Sequence, residues 1–383
     1  MHTARVYFPS LNGLRFLAAF AVLVHHIEMY CSKNLHTKYP LPGDLGGLGV
    51  TLFFVLSGFL ITYLLLVEKQ ETKTVSIKAF YLRRILRIWP LYFLILFLSL
   101  TLFPIILFPE SSTVFQQLLP KLVLYLLLLA NIGFLFFPEV PVASVLWSVG
   151  VEEQFYLIWP WLVKDSGKRF IYFLLAFIPM FALLRFSLQF IGDHYSFQSH
   201  GIIWTNKLLA ISRVMSDMRF DCMATGALAA MLLFYNKATI LNILFRPIVQ
   251  FIVLVLLIIA LFIGFTVPNF NHNFYALFFG FIILNLAANP KTIFSLEFPF
   301  FDFMGRISYG FYVYHTISIL LALRFIPQLF SEHGFAFKSA MYIFCFAFTT
   351  VISYLSYTYF ETRFLQLKHR FSKVISGPEA KAK

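Results

Sequence analysis

The sequence predicts an all-α fold, a polytopic bundle of transmembrane helices with about ten spans and one re-entrant segment. Three observations carry this expectation. The 383-residue chain is 60% hydrophobic and only 12% charged, whereas a soluble domain is about a quarter charged. Its mean hydropathy is +0.80. Apolar runs long enough to cross a ~30 Å hydrocarbon core recur at 46–66, 88–108, 118–137, 146–163, 170–191, 219–235, 247–267, 273–289, 303–325 and 337–360, after a first run from Leu11.

The net charge of +13 does not point to nucleic acid. Basic residues collect in short segments between apolar runs, as cytoplasmic loops of membrane proteins do, so the expected partner is the bilayer and no nucleic acid is expected. Cys31, Cys222 and Cys345 are scattered and form neither a metal-ligand pattern nor a disulfide framework. No metal is expected. The first apolar run continues to Tyr30 without a small-residue cleavage site, which reads as a retained span rather than a leader.

Met1–Ser10 carries Arg5 and is placed in the cytoplasm. The first span holds Asn12, Arg15, His25 and His26 among Leu, Ala, Phe and Val. Arg15 and His26 are eleven residues apart, about three whole helical turns, so they share a face at roughly 16 Å along the axis, while His25 falls off it by about 80°. Charge in a membrane helix is costly and by default functional. The alternative is that Arg15 snorkels to the interface and His26 packs on a neighbour.

Cys31–Gly47, with Pro40, Pro42, Gly43, Gly46 and Gly47, reads as an external loop. The second span, Phe53-Phe54-Val55-Leu56-Ser57-Gly58-Phe59, carries small residues of the kind found where membrane helices pack closely. Glu68–Arg87 holds Lys69, Lys73, Lys78, Arg83, Arg84 and Arg87 and is cytoplasmic by the same charge rule. A third span runs from Ile88 to about Phe108. Lys164, Lys168, Arg169, Lys237, Arg246, Lys291 and the tail (Arg363, Lys368, Arg370, Lys373) all fall inside only if 118–137 and 146–163 together make one net crossing. That places a re-entrant segment there and both termini in the cytoplasm. It also marks Phe134–Val151, with Pro138, Pro141 and Gly150, as a cavity wall, since irregular backbone at membrane depth must be buried or line a cavity. His194, Tyr195, Gln198 and His200 belong to a polar external loop, and 368–383 is a basic, solvated cytoplasmic tail after a membrane domain at 1–367.

Two further constellations could carry chemistry. Arg84 and Arg87 face the same way on a helix, and guanidinium forks suit phosphate oxygens; a plain positive-inside cluster is the bland reading. In Trp147-Ser148-Val149-Gly150-Val151-Glu152-Glu153-Gln154-Phe155-Tyr156, Glu152 shares a face with Ser148 and Tyr156 while Glu153 points elsewhere. Two carboxylates entering an apolar run need partners, unless they merely complement a helix N-terminus. Arg219 and Asp221 read as an intramembrane pair, and His315, in Phe311-Tyr312-Val313-Tyr314-His315, is a further candidate for lining a site.

In order, Leu-x-Gly-Leu-Arg-x₁₀-His, Phe-Phe-Val-Leu-Ser-Gly-Phe-Leu-Ile, Arg-x-x-Arg, Trp-Ser-x-x-Val-Glu-Glu-Gln-Phe-Tyr, Met218-Arg219-Phe220-Asp221 to Gly226, and Ile307-Ser308-Tyr309 to His315 together resemble the acyltransferase 3 membrane family over Leu11–Phe364. Members O-acylate surface polysaccharides, lipopolysaccharide, peptidoglycan and other acceptors. The family's terminal Glu-Lys-Pro-Phe box reads Glu361-Thr362-Arg363-Phe364 here and lacks the proline. The resemblance implies an enzyme of a bacterial cytoplasmic (inner) membrane. It would move an acyl group, acetyl first, from cytoplasmic acyl-CoA such as acetyl-CoA to a hydroxyl of a carbohydrate or lipid-linked glycan, alone or with polysaccharide-assembly proteins. It implies that Arg84 and Arg87 bind the coenzyme A phosphates, that Arg15 holds a coenzyme A phosphate or steadies the developing charge, and that His26 acts as general base or acyl carrier. Glu152 would orient His26 or bind sugar hydroxyls, and Trp147, Tyr156 and His315 would contact the acceptor. Peptidoglycan-acylating relatives often carry a fused esterase-like domain. None is seen here, so transfer is expected to be completed by the membrane domain or a separate partner. The rival readings are a transporter of a glycan precursor and a non-catalytic component of an assembly complex.

Overall fold

The computed structural model describes residues 4–36, 43–103, 118–137, 140, 142–198, 203–332 and 334–376. Pro40, Pro42, Phe108, Pro138, Pro141, His200 and the tail beyond Ser376 lie outside them. A short strand β1 (Arg5–Val6) leads into α1 (Ser10–Leu35), α2 (Leu45–Thr72) and α3 (Ile77–Leu100). Two short helices, α4 (Leu118–Leu126) and α5 (Ala130–Phe136), precede α6 (Leu146–Asp165). Then come α7 (Phe170–Gln198), α8 (Ile203–Met218), α9 (Phe220–Phe234), α10 (Ala238–Leu244), α11 (Pro247–Phe262), α12 (Asn271–Ala288), α13 (Pro299–Arg306), α14 (Ser308–Phe325) and α15 (Phe335–Ser356). A π-turn at Tyr357–Glu361 joins α15 to α16 (Thr362–Lys368), and β2 (Ile375–Ser376) closes the described chain.

Among the described residues six helices are long and apolar enough to cross a membrane, or seven when the pair around Phe234, bent by 112°, counts as one span. This integral membrane bundle therefore shows fewer self-sufficient spans than the apolar runs suggest. The shortfall has local causes. Helix α3 carries Arg83, Arg84 and Arg87 at its start, and α6 is diluted by Glu152, Glu153 and Gln154. The run 118–137 is broken where Leu128 turns left-handed (φ 61°), so α4 and α5 reach only about 14 and 11 Å.

Helix α2 is the central element, packed against α1, α6, α9 and α12. Its start is fixed by Asp44, whose carboxylate accepts from Gly47 N at 2.8 Å, a standard N-cap. Backbones touch where α2 meets α9: a Cβ on Gly58 would stand 1.9 Å from Met223 O, and one on Gly226 1.9 Å from Val55 O. Small residues let membrane helices approach this closely.

The two termini meet. β1 and β2 pair in parallel, Arg5 with Ile375 and Val6 with Ser376, so the end of the described tail is pinned to the body while His369, Arg370 and Lys373 stay exposed. Arg83 ties α3 into the same end, donating to Phe371 O at 2.9 Å and to Glu68 Oε2 at 2.7 Å.

The expected Arg219–Asp221 pair is not formed. Asp221 instead binds Arg185 of α7 at 3.2 Å and accepts from Asn273 Nδ2 at 2.8 Å. Arg219 sits at the break before α9 with φ 43°, which turns its guanidinium toward α2, where it donates to Gly47 O at 3.0 Å. All three cysteines are buried and free.

Candidate active site

Helices α1, α3, α6 and α14 surround a cavity of about 110 Å³, closed on one side by α2. Arg15 enters it from α1, Arg84 and Arg87 from α3, Ser148, Glu152 and Tyr156 from α6, and Tyr309 and Tyr312 from α14. A second cavity of about 100 Å³ shares Arg15, Arg84, Arg87, Leu60 and Ile61 with the first. It leads to the termini end, past Tyr7, Glu68, Arg83, Lys368 and Ser376. Three guanidiniums therefore stand at the junction of a passage running from the termini end into the bundle.

None of the three is neutralised by a direct ion pair, although Glu152 lines the same cavity. Among the described residues none of Arg15, Arg84 and Arg87 forms an ion pair; Arg83, by contrast, is paired with Glu68. Arg84 lies with its guanidinium carbon 5.5 Å from the Phe80 ring centre and 5.7 Å from that of Tyr156, and its buried Nε has no hydrogen-bond partner. Three clustered, forked cations outnumber the one carboxylate, Glu152, that lines the inner cavity, which makes the junction an anion site. At the mouth, Tyr7 donates to Asp302 Oδ1 at 3.1 Å. Burial and the Asp302 carboxylate push its phenol up to about 12, so it remains a donor at physiological pH.

The α6 carboxylates divide as helix geometry requires. Glu152 faces the cavity and accepts from Tyr156 OH at 2.8 Å, and that hydroxyl also bonds Ser57 of α2. Glu153 turns away and accepts from Trp89 Nε1 at 2.9 Å. Since α6 begins at Leu146 and has no acidic residue in its first turn, neither carboxylate serves as an N-terminal complement.

Further into the bundle, the same face of α1 presents His26, whose Nδ1 lies 2.7 Å from His315 Nε2. His25 turns aside and lies against Gly46. Tyr312, one helical turn before His315, lines the cavity, and neither His26 nor His315 does. The structure thus brings Arg15, Arg84, Arg87, Glu152 and Tyr156 around one space and sets His26 and His315 outside its lining. Glu152 does not orient His26: its hydrogen bond goes to Tyr156, and the partner of His26 is His315. Trp147 lies outside the cavity lining, with the Arg219 guanidinium 5.5 Å over its ring and Phe54 against it. Residues not anticipated are Ser57, which looked like a packing residue, and Tyr312, whose hydroxyl bonds Ser148 Oγ at 2.7 Å. The alternating Tyr and apolar positions of α14 were the available signal. No group of three or more candidate metal ligands occurs among the described residues.

The sequence profile of the acyltransferase 3 domain family, described as an acyltransferase domain, matches residues 8–358. The peptidoglycan O-acetyltransferase OatA of Listeria monocytogenes is 32% identical over 165 residues, covering 41% of this chain and 24% of the relative. A Staphylococcus aureus protein provisionally named an O-acetyltransferase is 27% identical over 387 aligned positions, 94% of this chain and 57% of the relative. The O-acetyltransferase OatA of Staphylococcus aureus is 29% identical over 168 residues, 43% of this chain and 26% of the relative. The chain thus spans between about a quarter and somewhat over half the length of these relatives. No solved structure matches it. The matched range contains the whole lining of the inner cavity together with His26 and His315, and the chain belongs to the acyltransferase 3 family.

Proposed function

We propose that this protein is an O-acetyltransferase that takes an acetyl group from acetyl-CoA on the cytoplasmic side and delivers it to a hydroxyl of a glycan. The observation that carries the reading is the set of three unpaired guanidiniums, Arg15, Arg84 and Arg87, at the junction of the two cavities. The termini end holds Arg83, Lys368 and the basic loop before α3, which supports a cytoplasmic placement under the positive-inside rule. The membrane is then a bacterial inner membrane, crossed about ten times, with both termini inside. Coenzyme A phosphates bind Arg84, Arg87 and Arg15, and the thioester arm follows the inner cavity toward His26. The relative named for peptidoglycan O-acetylation supports a carbohydrate acceptor.

In the transfer step His26 accepts the proton of the acceptor hydroxyl as its oxygen forms a bond to the acetyl carbonyl carbon. The carbon–sulfur bond then breaks and the thiolate leaves with that proton, giving ester and coenzyme A. Glu152, through Tyr156, holds the wall against which Arg84 lies. The test is acetyl transfer from radiolabelled acetyl-CoA by the protein in lipid nanodiscs, with His26→Ala beside it. Loss of at least ~100-fold in the variant is expected, as for removal of a general base. Full activity in that variant, or unchanged glycan O-acetyl content in a deletion strain, overturns the reading, and accumulated intracellular precursor in that strain would favour transport.

A further inference from the structure

His26 is not an isolated imidazole. His315 Nε2 lies 2.7 Å from its Nδ1, with ring planes within 7° of each other and centroids 4.9 Å apart. Two ring radii plus the nitrogen–nitrogen distance account for that centroid separation. The nitrogens therefore lie along the line joining the rings, and the rings are coplanar, edge to edge. This is the geometry of an in-plane N–H···N hydrogen bond and not of a face-to-face stack.

One of the two nitrogens must carry the hydrogen, and the far side of His315 decides which. His315 Nδ1 lies 2.5 Å from the Tyr312 carbonyl oxygen. A carbonyl oxygen only accepts, so Nδ1 carries a hydrogen. A neutral His315 then has its lone pair on Nε2, and the shared hydrogen belongs to His26 Nδ1. His26 is left with its lone pair on Nε2, the nitrogen directed away from His315. The support is rigid: His315 is fully buried. Its own carbonyl accepts from Ser318 Oγ at 2.7 Å, and that hydroxyl also bonds Thr349 Oγ1 at 2.6 Å.

We infer that His315 is a positioning residue that fixes His26 in the Nδ1–H tautomer, so that Nε2 is the nitrogen that takes the acceptor's proton. The inference rests on the acyltransfer reading above. Both ring nitrogens of His315 are committed, which leaves it no donor or acceptor to offer a sugar. Once His26 Nε2 is protonated, the Nδ1–H bond to His315 keeps the imidazolium oriented until the proton passes to the departing thiolate. His315 itself neither gains nor loses a proton.

Two polar variants of similar size separate this role from simple packing, because each replaces a different ring nitrogen. The amide of His315→Gln reaches the position of Nε2 and can accept from His26. That of His315→Asn reaches only the position of Nδ1. Measured per folded protein, kcat should stay within about tenfold of wild type for His315→Gln. It should fall about 100-fold for His315→Asn, with KM for acetyl-CoA unchanged within about threefold in both; a wrong tautomer in a comparable base costs this much or more. An Asn variant within threefold of wild type, or a Gln variant as inactive as the Asn variant, overturns the inference. His26→Ala distinguishes the levels. If it remains active the acyltransfer reading itself fails; if it is inactive while His315→Asn works normally, only the positioning role fails.

Discussion

Replacing Arg87 with glutamine should weaken coenzyme A binding and, in the same protein, stabilise the ligand-free form. Both signs follow from its surroundings. Among the described residues Arg87 has no ion pair, and no hydrogen bond or ring contact is seen for it, yet it lines both cavities beside Arg15 and Arg84. Two like charges ~10 Å apart at an effective dielectric near ~20 repel by about 1–2 kcal/mol. Removing one of three clustered cations relieves repulsion of that order, and the attraction given up is the longer-range one to Glu361. Arg84 would not give the same result, because its contacts with Phe80 and Tyr156 are each worth about 0.5–2 kcal/mol and offset the gain. With coenzyme A bound the balance reverses. A hydrogen bond from a guanidinium to phosphate is worth about 1.5–3 kcal/mol, or roughly 10- to 150-fold in Kd. Titration calorimetry with coenzyme A, and thermal unfolding with and without it in one detergent, read both quantities. A variant that binds coenzyme A within twofold of wild type, or that is less stable than wild type without ligand, would refute the account of Arg87 as an unpaired anion ligand.

Two further outcomes concern the scaffold. Asp221→Ala leaves Arg185 buried without its carboxylate, which costs about 3–5 kcal/mol; unfolding in a fixed detergent should show Asp221→Asn retaining more of this stability, since the amide still accepts from Cys222 N. Gly226→Ala places a Cβ 1.9 Å from Val55 O, so α2 and α9 must separate. Size-exclusion chromatography should then show loss of monodisperse protein, while Gly167→Ala, with nothing within 4 Å, should behave as wild type.

Much of the site is legible in the sequence because it is written at helical spacing. Arg15 and His26 share a face of α1, and Glu152 stands with Ser148 and Tyr156 on the cavity side of α6 while Glu153 turns to Trp89. These relations follow from 3.6 residues per turn within one helix. Relations between helices are not encoded that way. His315 lies 289 positions from the histidine it supports, and nothing in its own segment distinguishes it from a packed core histidine. Arg219 and Asp221 are near neighbours in sequence and so look like a pair. The left-handed residue at the helix break sends the arginine toward α2 and leaves Asp221 to Arg185. The apolar runs outnumber the long helices for a related reason. Hydropathy registers an apolar run whether or not one helix carries it across, and the turn at Leu128 divides such a run without changing its composition.

The separation of the two ends of α1 also bears on the donor. Arg15 and His26 are three turns apart, roughly 16 Å along a rigid axis, with Arg84 and Arg87 gathered at the Arg15 end. A donor whose phosphate adjoins its reactive carbonyl, such as acetyl phosphate, cannot hold its phosphate on those arginines and present its carbonyl to His26. A donor that joins the two by a long flexible arm can, and coenzyme A thioesters are built that way. The same spacing would keep the arginine cluster from perturbing His26 in the proposed reaction. In the proposed mechanism a cation beside His26 would oppose the imidazolium formed as the acceptor loses its proton; three turns of helix would weaken that repulsion, and the arm of a coenzyme A donor would close the gap.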